Sequence, residues 1–162
     1  MAYTHVGHDC QVGSRIVFAN NATLAGHVEV HDDANVSAFS SVHQFCRVGR
    51  HAYVGGYTVA TMDVLPFVKT VGQKPACYGL NSIGLKRKGF DAERVRRLEL
   101  AYRLLVRSKL NTPQALARLK AELAGDPDVD YLIAFVESSQ RGLHKSTSRG
   151  GGRGGDRGGE PG

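Results

Sequence analysis

Cysteine is scarce in this chain of 162 residues, which contains only three. Cys10, Cys46 and Cys77 are widely separated and form no CxxC pair. An odd number of scattered thiols favours a reducing compartment over a disulfide framework. We therefore expect a cytoplasmic location.

Long apolar runs are also missing. No stretch approaches the roughly 18 consecutive apolar residues that a membrane-spanning helix needs. The first residues, MAYTHVGHDC, lack the basic start and apolar block of a secretory signal. The sequence thus predicts a soluble chain without membrane insertion.

The positive charge is unevenly distributed along the chain. Residues 1–75 contain five Lys/Arg and five Asp/Glu, whereas residues 76–145 contain thirteen and eight. The formal net charge of +6 therefore belongs mainly to the middle segment. Such a balance favours an acidic or phosphate-bearing partner there, although a solvated helix surface produces the same pattern.

A six-residue apolar repeat dominates the first sixty residues. Its members are Val6, Val12, Phe18, Leu24, Val30, Val36, Val42, Val48 and Val54. A second series of mostly small residues lies two positions before, from Cys10 to Ala52. This period fits neither a helix nor simple strand alternation.

A hexapeptide repeat is typical of a parallel β-helix, in which three hexapeptides complete one coil of 18 residues. A β-sandwich is the alternative, but its turn signals would recur every 8 to 12 residues or so. We predict a mainly β plus α fold. A left-handed parallel β-helix occupies residues 1–75, with about three coils between residues 1 and 59, and a small C-terminal helical domain follows.

Four histidines fall at neighbouring places of the 18-residue coil. His5 and His8 hold places 5 and 8, while His43 and His27 reduce to places 7 and 9. We therefore expect them at one edge of the solenoid, stacked over three coils. His31 and His51 fall elsewhere.

The helical domain is predicted over residues 76–145. After Pro66 the repeat fades, and residues 71–90 indicate a loop that leads into three helices. Asp91, Thr112 and Asp126 are the predicted N-caps, the last two followed by proline at the first helical position.

The last segment, residues 146–162, is rich in glycine and arginine and is predicted to be disordered. Its spaced arginines resemble RGG segments that bind RNA. Asp156 and Glu160 interrupt the positive charge, so a terminal extension that binds no nucleic acid is the favoured interpretation.

Four blocks carry a family resemblance. HVGHDC, NNATLAGHV, VHQFCRVG and GLNSIGLKRKGF, in this order, resemble the UDP-N-acetylglucosamine O-acyltransferases of lipid A biosynthesis over roughly residues 1–143. The related N-acyltransferases share the architecture, but the LKRKGF block is not expected in them.

The resemblance implies a cytoplasmic homotrimer with active sites between neighbouring β-helices. Its members transfer a 3-hydroxyacyl chain from acyl carrier protein to the 3-hydroxyl of UDP-N-acetylglucosamine, without cofactor or metal. A basic first helix, with Arg94, Arg96, Arg97 and Arg103, suits the acidic carrier protein.

The resemblance also assigns catalytic roles. His8 matches the general base, Asp9 the carboxylate that supports it, and Gly26 the residue whose backbone N–H stabilises the oxyanion. A neutral imidazole can take the proton of a sugar hydroxyl as it attacks a thioester, and backbone amides are already oriented when the charge develops.

Further residues match substrate contacts. The predicted set is His5, His27, His43 and Gln44 in the cleft, Gly56 at the position that limits acyl length, and Asn81 and Arg87 on the nucleotide from a neighbouring subunit. Glycine at position 56 implies a long acyl chain.

The chain departs from the family pattern at three points. Ile83 replaces an acidic residue of some members, and Lys88 replaces a frequent arginine. Several N-terminal coils of the family are expected to be lacking, since the resemblance starts well inside the β-helix.

Two other functions fit the same residues. A non-catalytic trimeric β-helix would retain nucleotide or carrier-protein binding without turnover. A zinc hydrolyase of the β-helical carbonic anhydrase type would use the clustered histidines, but no cysteine or paired carboxylate completes a ligand set in the sequence.

Overall fold

The N-terminal part of the chain is a parallel β-helix. The computed structural model describes residues 1–146 and has a two-residue strand every sixth residue. These strands are β1 His5–Val6, β2 Gln11–Val12, β3 Val17–Phe18, β4 Thr23–Leu24, β5 Glu29–Val30, β6 Asn35–Val36, β7 Ser41–Val42, β8 Arg47–Val48, β9 Tyr53–Val54 and β10 Val59–Ala60. Val12 pairs with Val30, an offset of one coil. The predicted solenoid is confirmed.

The solenoid has three faces and is longer than predicted. Its sheets have the strand orders β1-β4-β7-β10, β2-β5-β8 and β3-β6-β9, so a fourth layer follows the three expected coils. The third sheet continues through β11 (Val68–Val71), parallel to β9, and β12 (Ala76–Leu80), antiparallel to β11. The prediction of a loop over residues 71–90 is therefore wrong in part, because paired strands outlast the six-residue repeat.

Both apolar series of the repeat point into the solenoid. Leu24, Val36 and Val54 of the large series and Ala22 and Ala34 of the small one are fully buried. Each stacks on its equivalent one coil away, so every coil covers the apolar surface of the next.

Each hexapeptide turns the chain at a residue in the left-handed backbone region. These corner residues are Tyr3, Asp9, Arg15, Asn21, His27, Asp33, Phe39, Phe45, His51 and Tyr57, with φ between 55° and 62°. This conformation costs a non-glycine residue about 1 kcal/mol. Backbone hydrogen bonds between coils hold it, such as that from the His27 N–H to the His8 carbonyl at 2.9 Å.

Within the described residues, four helices follow rather than the predicted three. They are α1 Ser82–Arg87, α2 Ala92–Tyr102 with a π-helical continuation over Arg103–Arg107, α3 Thr112–Leu123 and α4 Pro127–Glu137. Asp91 and Asp126 are confirmed as N-caps. Thr112 is not a cap: Asn111 caps α3 in a capping box with Gln114, which places Pro113 in the second helical position.

The helices pack against the end of the solenoid. A second apolar core joins Leu65 and Phe67 to buried residues of α2, α3 and α4. At its edge, Arg47 forms an ion pair with the buried Asp63 at 2.8 Å and donates to the Phe135 carbonyl. These contacts connect the solenoid wall to α4.

No helix among residues 1–146 combines the length and hydrophobicity that crossing a bilayer requires. The prediction of disorder for the glycine- and arginine-rich tail concerns residues that lie, except for Ser146, outside those described.

Candidate active site

The candidate site lies at one corner of the three-sided solenoid, at the turn between the β1-β4-β7-β10 sheet and the β2-β5-β8 sheet. His8, His27 and His43 occupy this turn in three successive layers, because each follows a strand of the first sheet. His5 lies just before it in β1, and Gln44 follows His43. All five residues are exposed.

His8 and Asp9 form a hydrogen-bonded pair. Nδ1 of His8 lies 2.8 Å from Oδ2 of Asp9. The hydrogen bond to His8, together with the nearby His27, lowers the pKa of the Asp9 carboxyl. An ionised carboxylate accepts from Nδ1–H, so the neutral imidazole that fits this contact has its lone pair on Nε2.

Nε2 of His8 faces the backbone of Gly26. A Cβ built on Gly26 would lie 2.6 Å from Nε2, closer than any side chain tolerates. Within residues 1–146, neither Nε2 of His8 nor the N–H of Gly26 has a hydrogen-bond partner. A base and a backbone donor therefore stand side by side, both free to meet a substrate.

His27 is held by an aromatic stack that the sequence analysis did not anticipate. Its ring lies parallel to that of Phe45, one coil further along, with centroids 4.7 Å apart. The ring of His8 meets it edge-on at 5.0 Å. Phe45 occupies the same corner position as His27, so the 18-residue spacing between them could have predicted this stack.

Arg141 is a second residue that the sequence did not indicate. Its guanidinium donates to Nδ1 of His43 at 3.2 Å, from a segment 98 residues away in the chain. No local pattern predicts such a contact, because it depends on how the segment after α4 returns to the solenoid.

Asn81 and Arg87 lie elsewhere on this chain, in a recess of about 420 Å³ beside the β6-β9-β11 sheet. Asn35, Tyr53, Lys69 and Ser82 add further polar groups to its lining. The Asn81 side chain caps α1, accepting from the Gly84 N–H at 3.2 Å, and donates to the His51 carbonyl at 3.1 Å. Arg87 is exposed in the last turn of α1.

Ile83 and Lys88, the two departures from the family pattern, differ in their contacts. Ile83 is 70% exposed and lines the recess. Lys88 instead forms an ion pair with Asp33 at 2.8 Å. Asp33 also accepts two hydrogen bonds from Arg15, and these cations hold the pKa of its carboxyl far below the usual range.

Gly56 lies at another corner of the solenoid, beyond β9, so this chain alone does not bring it to the histidines. A Cβ there would meet only the Ala38 carbonyl, at 3.3 Å, and its φ is not in the left-handed region. A side chain at this position would therefore require the Ala38 carbonyl to shift by a few tenths of an ångström.

The arginines of α2 are mostly engaged in ion pairs. Arg94 contacts Asp128, Arg96 contacts Glu93, and Arg97 contacts both Glu93 and Asp126. The charge available to an acidic partner on this helix is accordingly smaller than the count of arginines suggests.

The sequence of this chain is similar to those of known proteins. Residues 63–144 match a family model described as UDP N-acetylglucosamine O-acyltransferase, domain 2. Curated relatives named acyl-(acyl-carrier-protein)–UDP-N-acetylglucosamine O-acyltransferase include those of Anaeromyxobacter dehalogenans (strain 2CP-1), 48% identical, and Alkalilimnicola ehrlichii, 46% identical, each over 143 residues. These alignments cover 88% of this chain but only 56% and 55% of the relatives. The chain thus spans about half the length of the curated relatives it matches.

Solved structures of similar fold belong to the same family. The UDP-N-acetylglucosamine acyltransferase of Francisella novicida superposes with a TM-score of 0.85 at 35% identity, covering 88% of this chain and 52% of the other. The Arabidopsis enzyme gives 0.83 at 36% identity, with coverages of 88% and 53%. Sequence blocks, solenoid architecture and family model agree, and the chain belongs to the UDP-N-acetylglucosamine O-acyltransferase family.

Proposed function

We propose that this chain transfers a long 3-hydroxyacyl chain from acyl carrier protein to the 3-hydroxyl of UDP-N-acetylglucosamine, the first step of lipid A biosynthesis. The observation that carries the proposal is that Nε2 of His8 lies beside the N–H of Gly26 and neither has a hydrogen-bond partner within residues 1–146, while Nδ1 of His8 is bonded to Asp9 at 2.8 Å. Family membership and the names of the curated relatives indicate the substrates.

In this mechanism His8 is the general base. Its Nε2 accepts the proton of the sugar hydroxyl while the hydroxyl oxygen attacks the thioester carbon. The resulting imidazolium donates from Nδ1 to the Asp9 carboxylate, which stabilises the charge and fixes the ring orientation.

Gly26 stabilises the negative charge that develops on the thioester oxygen. Its N–H belongs to the rigid turn of the next coil, so it needs no reorganisation as the tetrahedral intermediate forms. When the intermediate collapses, the carbon–sulfur bond breaks, and the departing thiolate takes the proton from Nε2 of His8. The ester and free carrier protein leave.

Substrate binding is assigned to two groups of residues. His5, His27, His43 and Gln44 line the turn around His8, and Gly56 sets the acyl length. Asn81 and Arg87 bind the nucleotide, with the guanidinium suited to a diphosphate. The recess that contains Asn81 lies away from His8 on one chain, and so does Gly56. We therefore infer a homotrimer in which neighbouring subunits combine these parts. Its location, as the family resemblance implies, is the cytoplasm.

The test is turnover by the purified chain with UDP-N-acetylglucosamine and 3-hydroxymyristoyl carrier protein. The acylated nucleotide sugar is the expected product, and His8→Ala should slow its formation by about 10²–10⁴-fold. His31→Gln is the matched control, because it removes an imidazole that lies on another turn and contacts Tyr131 instead. Full activity of His8→Ala would exclude His8 as the base.

A second candidate function is nucleotide binding without catalysis. It is favoured by the recess, whose Asn35, Lys69 and Arg87 are assembled independently of the His8 cluster. Saturable binding of UDP-N-acetylglucosamine by a chain that produces no ester would support this candidate and contradict the first.

A further inference from the structure

Three side chains at the candidate active site converge as metal ligands do. His8, Asp9 and His27 each offer one ligand atom, and these atoms lie within 4.8 Å of one another. Oδ2 of Asp9 is 2.8 Å from Nδ1 of His8 and 3.8 Å from Nε2 of His27. In a tetrahedral zinc site the ligand atoms are about 3.3 Å apart, so each of these two distances differs from that spacing by about half an ångström.

The backbone brings these three residues to the same corner of the solenoid. Asp9 and His27 hold the same corner position in adjacent coils, both with φ of 57°. The hydrogen bond from the His27 N–H to the His8 carbonyl locks the two coils in register. Phe45 stacks on the His27 ring and fixes its plane.

The donor set also selects a class of ion. Two imidazoles and one carboxylate suit zinc and the neighbouring first-row divalent metals better than calcium or magnesium. Among the residues that the structure describes, Asp9 forms ion pairs only with these two histidines, so no lysine or arginine occupies the carboxylate. Their side chains are 75%, 66% and 43% exposed for His8, Asp9 and His27, which leaves room for water as a further ligand.

We propose that this cluster binds one divalent transition-metal ion through Nδ1 of His8, Oδ2 of Asp9 and Nε2 of His27, and that the ion switches the site off. The second part rests on the function proposed above. It adds an inhibitory ion, whereas the mechanism proposed above assigns no step to a metal.

Inhibition follows from the two nitrogens of one imidazole. In the active form the single ring proton is on Nδ1, shared with Asp9, and Nε2 carries the lone pair. A metal ion on Nδ1 takes the place of that proton, and the neutral ring then carries its proton on Nε2. Nε2 thereby loses the lone pair that would accept the sugar proton, and Asp9 is withdrawn to the ion.

The experiment is calorimetric titration of the chelator-treated full chain with Zn²⁺, repeated with Co²⁺ as a spectroscopic probe. We expect one ion per chain. His27→Gln and Asp9→Asn should each weaken binding by more than about tenfold, since one of three protein ligands is lost or loses its charge. His43→Gln is the matched control: it removes an exposed imidazole of the same turn that is outside the ligand set, and should bind like the parent chain.

Several results would overturn the proposal. They are the absence of saturable binding, equal affinity in the parent and both ligand variants with unchanged circular dichroism, and a cobalt spectrum with a thiolate charge-transfer band, which would assign the ion to a cysteine. Turnover unchanged at saturating Zn²⁺ would overturn the inhibition. Stoichiometric binding through these ligands by a chain that shows no turnover without metal would contradict only the function proposed above, because binding is measured without substrate.

Discussion

Nε2 of His8 and the backbone of Gly26 are in contact across two adjacent coils, although the two residues are 18 positions apart in the chain. A Cβ at residue 26 would lie 2.6 Å from the imidazole nitrogen, so any residue other than glycine would force the His8 ring to shift. This contact makes the glycine a sensitive point for testing the site without removing a functional side chain.

Gly26→Ala should reduce turnover by on the order of 10²-fold or more, because the added methyl group displaces the base from the oxyanion donor. The φ of Gly26 is not in the left-handed region, so the alanine backbone itself is unstrained. Steady-state kinetics and an unfolding curve would measure the two effects separately.

A double variant sharpens this prediction. If Gly26→Ala acts by moving His8, adding it to His8→Ala should cause little further loss, since coupled residues are not additive. Two independent, multiplying losses would show that the methyl group acts on something other than the base.

Arg87→Ala should raise the KM for UDP-N-acetylglucosamine by about tenfold to a hundredfold, the value of a charge-assisted hydrogen bond to phosphate. Its side chain is exposed and forms no ion pair within residues 1–146, so the free energy of unfolding should hardly change. Arg87→Lys should recover only part of the affinity, because the planar fork is lost.

Asn81→Ala, unlike Arg87→Ala, should destabilise the fold. Asn81 caps α1 and donates to the His51 carbonyl, so its loss should lower the free energy of unfolding by about 1–2 kcal/mol in addition to any effect on KM. Chemical denaturation of both variants separates the two roles. Equal destabilisation by Arg87→Ala would argue against a purely ligand-directed arginine.

Substitutions of Gly56 should change the preferred acyl length. Only the Ala38 carbonyl lies near a Cβ at this position, so Gly56→Ala and Gly56→Met share this one backbone contact and differ in side-chain length. The preference should move from long towards shorter acyl chains, more strongly for methionine than for alanine, in competition assays with carrier proteins of different acyl length. An unchanged preference in Gly56→Met would remove residue 56 from the acyl slot.

Acidification should destabilise the fold through His144. This side chain is 4% exposed, and its Nε2 accepts hydrogen bonds from the Thr61 and Met62 N–H groups, each at 3.1 Å. Burial lowers the pKa of His144 below the usual 6.5, against the opposing effect of Asp63. The neutral ring therefore stabilises the fold above about pH 6.5, and this contribution is lost as the pH falls towards the folded-state pKa.

His144→Gln should flatten that dependence by up to about 1.4 kcal/mol per pH unit, the slope for one proton. Burial also lowers the pKa of His31 and His51, so part of the slope should remain. Urea unfolding at several pH values measures it, and an identical slope in the variant would exclude His144 as a contributor.

The helix N-termini show which features local sequence patterns can predict. Asp91 and Asp126 were recognisable as caps because each precedes an amphipathic segment and no other residue competes. At α3 both Asn111 and Thr112 can cap, and the capping box with Gln114 decides for Asn111. Helix α1 has only six residues and includes a glycine, so no periodic signal marked it; its Asn81 cap is held through the His51 carbonyl.

The repeat pattern alone predicts the solenoid and the turn at which the site lies. A period of six needs no long-range information, because each coil repeats the last, and the arithmetic of 18 then brings His8, His27 and Phe45 to the same turn. Asp9 and Gly26 follow from the same register.

The side-chain contacts between the solenoid and the segments after it were not predictable from the repeat. The pairing of His31 with Tyr131, of His43 with Arg141 and of Lys88 with Asp33 depends on where non-repeating segments return to the solenoid. The physical reason is that a repeat fixes distances between coils through backbone hydrogen bonds. Contacts between a helix and a coil depend instead on packing shape, which no periodic pattern encodes.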